Sequence, residues 1–190
     1  MPEARPLPFI GVRQQENRTP SGRRTSAPAR RAAQYVAYGR DQEARVEKRQ
    51  RGVWLGPDSR AHTHTDVLAW VKEEAMNHRY TFTAVLSAPR GDLTAESFNH
   101  AMQQGREVAD WRLMLHRDTA YRHAHLLFFR DQRLDKETFL TWQADVRAAL
   151  VRLIDASPAA TLGVSQDNLT AIDLSSDGVR AKGQEVSLGW

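Results

Sequence analysis

Residues 111–130 read WRLMLHRDTAYRHAHLLFFR, and the order of apolar and polar residues in them sets out two strands, 110–117 and 122–130. The polar connection between them is too short for a crossover, so the strands pair antiparallel. That pairing sets His116 opposite His123. His125 points to the same face because side chains alternate along a strand, while Ala124 turns to the other. Three imidazoles therefore converge on one patch of sheet. A facial set of three ligands leaves coordination positions open for water or a phosphate oxygen, as a catalytic divalent cation requires. Without a ligand, three such rings on one face would be poorly satisfied. Asp118 either accepts the free N–H of an imidazole ligand or simply shapes the turn.

Working outward, RYTFTAVLSAP (79–89) is a strand with Tyr80, Phe82, Ala84 and Leu86 on one side, ended by Pro89 and Gly91. Thr94 starts a helix to about Ala109, with Phe98, Ala101, Met102, Gly105 and Val108 on one stripe. Asp66 is expected to cap a helix to about Asn77. Asp135 opens a long one carrying Phe139, Trp142, Val146, Ala149, Leu150 and Leu153 at spacings of three and four. From Arg30, RRAAQYVAYGRDQEARVEKR reads as helical, with Tyr35 and Tyr38 on neighbouring positions of one face. Strands and helices mixed with a tight hairpin predict an α+β fold, an antiparallel sheet with helices packed on one face. Residues 30–156 form that domain, residues 1–29 a disordered basic arm, and residues 157–190 a tail or peripheral hairpin.

Composition narrows the chemistry. The 190 residues include no cysteine, which excludes disulfides, thiolate zinc sites and cysteine nucleophiles, and leaves any metal to His, Asp or Glu. No long apolar run or secretory signal is present, so a cytoplasmic protein without a membrane segment is expected. The net charge of +4 is unevenly spread. Residues 1–60 hold 13 Lys/Arg against 6 Asp/Glu, a net +7, and residues 61–190 hold 14 against 17, a net −3. All 13 but Lys48 are arginine, whose planar fork suits phosphate. Of the remaining histidines, His62 and His64 read as exposed polar residues at a helix entrance, and His78 and His100 as structural.

The stretch HRDTAYRHAHLLFF resembles the His-hydrophobic-His metal motif of conjugative and mobilisation relaxases, of the HUH endonuclease superfamily. LSAP at 86–89 is similar to that family's second motif and AAQYVAYGRD at 32–41 to its tyrosine motif, so the resemblance spans residues 30–150 in the family's order. It implies an HUH relaxase-like palm and a metal-dependent nickase that transfers single-stranded DNA through a 5′-phosphotyrosine. The metal, Mg or Mn, would rest on His116, His123 and His125. Tyr35 or Tyr38 would be the nucleophile, with Tyr35 favoured because Val follows it as in the family's pattern. Ser87 would contact DNA near the nick, and Arg40, Arg45, Arg49 and Arg51, with the arginines of residues 1–31, would grip phosphates. The implied partners are single-stranded DNA at an origin of transfer, accessory relaxosome proteins and a coupling protein. All four tyrosines precede His123, whereas rolling-circle replication initiators place theirs after the metal motif. Such an initiator, a transposase, or a non-catalytic DNA-binding accessory protein remain the alternatives. The chain departs from many relatives in lacking Pro before the HxH, where Tyr121 and Arg122 stand.

Overall fold

A computed structural model describes residues 6–89, 91–117 and 121–157. In chain order these form β1 (Phe9–Glu16), α1 (Ala27–Tyr38), α2 (Gln42–Val46), β2 (Trp54–Leu55), β3 (Ala61–His62) and α3 (His64–Asn77). There follow β4 (Tyr80–Ala88), α4 (Ala95–Gln104), β5 (Arg112–His116), β6 (Arg122–Arg130) and α5 (Lys136–Asp155). The six strands make one sheet in the order β1-β4-β6-β5-β2-β3, with every pair antiparallel. This is the expected α+β class, and the β5–β6 hairpin has the expected register, His116 opposite His123.

Helices cover both faces of the sheet rather than one. On the first face Phe82, Ala84, Leu86, Leu113, Leu126 and Phe128 pack against Phe98 and Met102 of α4 and Trp142, Val146 and Leu150 of α5. On the second, Trp54, Met114 and Leu127 pack against Ala29, Ala33, Val36 and Ala37 of α1 and Val67, Val71 and Ala75 of α3. The physical cause stands in β6, where Leu126, Leu127, Phe128 and Phe129 run apolar without alternation. Such a run exposes hydrophobic surface on both sides and requires cover on both.

The N-terminal segment also departs from expectation. Residues 9–16 are not an unstructured arm but an edge strand paired along its whole length with β4, from Phe9↔Ser87 to Glu16↔Tyr80. Ile10, 2% exposed, and Val12 supply the apolar side that docks on the first core. Asn17 anchors the strand's end: its amide donates to the His78 carbonyl at 3.0 Å and its oxygen accepts from Thr81 Oγ1 at 2.6 Å. The first helix starts before Arg30, at Ala27, with Pro28 in its first turn where the missing N–H costs nothing. It stops at Gly39, whose φ of 67° suits glycine, and Asp41 then caps α2 through the Ala44 N–H. Thr63, not Asp66, caps α3; Asp66 returns the favour as the acid of a capping box. Residues 158–190, where a tail or hairpin was expected, lie outside the described residues.

Candidate metal centre

The second face carries the candidate site, and helix α1 decides how much of it stays open. Its N-terminal turn lies over β1, where Gln15 Nε2 donates to the Pro28 carbonyl at 3.5 Å. Its C-terminal turn lies over β5, where His116 Nε2–H donates to the Val36 carbonyl at 2.9 Å. The helix thus crosses the face diagonally and leaves one corner uncovered. Alanines at 29, 33 and 37, all fully buried, let the backbone lie close to the strands.

In that corner His116, His123 and His125 converge. Each offers a ring nitrogen, and these atoms lie within 4.8 Å of one another. Ring centroids are 5.3 Å apart for His116–His123 and His123–His125 and 4.5 Å for His116–His125. The hydrogen bonds at their outer edges set the tautomers. A carbonyl only accepts, so His116 carries its proton on Nε2 and presents the Nδ1 lone pair. That Nδ1 is buried with no partner. His123 Nδ1 donates to the Tyr121 carbonyl at 3.2 Å, which leaves its Nε2 as the donor atom.

Electrostatics keep two of the rings neutral. Burial, followed by the neighbouring His125 and Arg51 charges, pushes His116 down to about 3. Burial, then His123 and Arg51, pushes His125 down to about 4. At neutral pH these are therefore unprotonated ligands, and the orphaned Nδ1 of His116 has a lone pair for which the protein provides no hydrogen. The three residues can hold a metal ion.

The two candidate tyrosines part company. Tyr35 is 43% exposed and sets its ring edge-on to His125, centroids 6.3 Å apart. Tyr38 is 8% exposed and packs edge-on against His64 at 5.0 Å within the second core. His64 is accordingly not an exposed capping residue: it is buried, its Nδ1 accepts from Trp54 Nε1 at 3.3 Å, and burial lowers its pKa. Tyr80 is a core residue and Tyr121 an exposed one. His78 is structural, bridging Glu74 at 3.1 Å and Asp131 at 3.2 Å.

Ser87 lies in the same row of the sheet as His123 and His116, opposite His123 on one side and Phe9 on the other. The four arginines divide. Arg45 donates to the Gly39 carbonyl at 3.0 Å, and Arg49 ion-pairs with Asp41 and Glu47 at 3.8 and 3.6 Å. Arg40, Arg49 and Arg51 line a pocket of about 510 Å³ beside Tyr35 and Tyr38. The nearness of Arg51 to the histidines, and the role of the Val36 carbonyl, escape sequence reading; a backbone acceptor has no side-chain signature. Asp118 lies outside the described residues. Comparisons with protein-family models, with characterised proteins and with solved structures return no match.

Proposed function

We propose that the protein is a divalent-metal-dependent, site-specific single-strand DNA nickase of the relaxase type that initiates transfer of a mobile element, with Tyr35 as nucleophile. The observation that carries the reading is the approach of a solvent-facing tyrosine to a three-histidine cluster with an unpartnered buried nitrogen. His116, His123 and His125 would hold the cation, and imidazole donors favour Mn²⁺ over Mg²⁺. When bound, the cation supplies positive charge against the charge that develops on the phosphoryl oxygens.

The protein's own groups do the rest. Tyr35, exposed on α1 and edge-on to His125, would attack, its Oη–P bond forming as the P–O3′ bond breaks. The phenolic proton passes by way of solvent to the leaving 3′-oxygen, so a 5′-phosphotyrosine and a free 3′-hydroxyl result. The bond energy is kept, and the same ester can be reversed onto a 3′-hydroxyl to rejoin the strand. Arg51 and Arg40 line the pocket beside Tyr35 and suit phosphates flanking the reacting one. Ser87, in the His123 row, would donate to the same strand.

Incubation with Mn²⁺ and labelled oligonucleotides spanning a candidate transfer origin should give a covalent protein–DNA band. Tyr35→Phe should remove that band entirely and Tyr38→Phe leave it. A full-yield adduct from Tyr35→Phe would move the nucleophile elsewhere.

A further inference from the structure

The corner of the sheet left open by α1 contains more than the histidines. Phe9, Ser87, His123 and His116 form one row across β1, β4, β6 and β5. Paired residues in antiparallel strands point the same way, so all four side chains stand on the site face. Phe9, the first residue of edge strand β1, is 60% exposed, and it is two strand spacings, about 10 Å, from His123. Its ring is folded along the strand over Gly11. A Cβ at Gly11 would meet the Phe9 ring at 2.9 and 3.0 Å, so only glycine lets the ring lie flat there. Gly11 is in turn opposite Val85 and so in the His125 row. The next residue on this face of β1 is Arg13, which is exposed and has no carboxylate partner among the described residues.

An aromatic ring laid open beside a polar site, with a guanidinium two residues further along the same edge, has the chemistry of a platform for a single-stranded nucleic acid. A base stacks on the ring and a phosphate meets the cation, without reading sequence. A protein partner would be served by a wider apolar patch, whereas the exposed apolar surface here is Phe9 with Leu7 two residues before it, beside Ser87, Gly11 and Arg13. We infer that Phe9 is a base-stacking residue for the single strand lying across the His116, His123 and His125 site, held flat by Gly11 and followed by a phosphate contact at Arg13. The inference rests on the nickase reading and extends it by fixing the path of the strand along β1.

The test is equilibrium binding of a fluorescently labelled oligothymidylate to the full chain in Mn²⁺, measured by anisotropy over a range of salt. Phe9→Ala should weaken binding about 10-fold with an unchanged salt slope and an unchanged melting temperature, because the ring is exposed and uncharged. Phe9→Trp should restore the affinity and add a tryptophan emission component that is quenched on binding. Gly11→Val, which lifts the ring without removing it, should weaken binding like Phe9→Ala. Arg13→Ala should lower the salt slope by about one. Wild-type affinity in Phe9→Ala, or failure of Phe9→Trp to recover it, overturns the stacking role while leaving the nickase reading in place. Absence of single-strand binding by the unaltered protein overturns both.

Discussion

The two faces of one sheet are built from alternate residues of the same strands, yet they end as different materials. Beneath α4 and α5 the central file is apolar: Tyr80, Phe82, Ala84, Leu86 and Ala88 run the full length of β4, and Phe82 stacks on Phe128 at 4.9 Å. The opposite face changes character along a single strand. Phe129 and Leu127 of β6 belong to the core under α1 and α3, and His125 and His123 continue the same file into the open. A sheet can thus be stabilised chiefly by one face and by half of the other, and the remaining corner is free to carry polar groups. That division of labour separates variants that break the fold from those that break the site.

The largest stability loss belongs to the dry face. Trp142→Ala should destabilise the protein by about 3–5 kcal/mol in guanidinium unfolding, because the ring is wholly buried against Phe128 and Phe139. Its effect should be the same with or without Mn²⁺. On the site face the ordering reverses. Manganese at about 100 times its dissociation constant should stabilise the unaltered protein by about 2.7 kcal/mol, and His116→Ala should abolish that gain. A thermal shift retained in His116→Ala would place the ion elsewhere. Gly39→Ala sits between the two. Its φ of 67° and ψ of −144° lie where a side chain is strained, so a loss of about 1–3 kcal/mol is expected, together with displacement of Arg51, whose Nη1 is 3.3 Å from the added carbon.

Much of this contrast was legible in the residues, and the illegible part has physical causes. The hairpin and its three histidines follow from period-two alternation, which is local and strong. Strand β1 was hidden because only Ile10 and Val12 mark its buried side, amid prolines and arginines that read as solvated chain. The second helical layer was written in the unbroken Leu126–Phe129 run, which alternation counts overlook. Tyr35 and Tyr38 could not be separated by spacing, since three residues on a helix give neighbouring directions and only the position of the sheet decides which one is buried.

The smallest effect near neutral pH is an acid one. His116 and His125 are held well below the ordinary histidine value, to about 3 and about 4. Stability from their neutral forms is complete above about 6.5, the unfolded value, and drains as pH falls through 6.5 toward 4 and 3. Metal-free unfolding measured across that range should steepen below pH 6.5, and His125→Ala should flatten the profile.

The end of α1 leaves carbonyls with no partner inside the helix, as every helix does. Here the Val36 carbonyl is taken by the His116 imidazole and the Ala37 carbonyl by the Arg51 N–H at 2.8 Å. Fraying of that last turn and rotation of His116 are consequently one event, not two. An ion that fixes the imidazole also raises the free energy needed to open the helix that carries Tyr35, so amide hydrogens there should exchange more slowly when Mn²⁺ is bound.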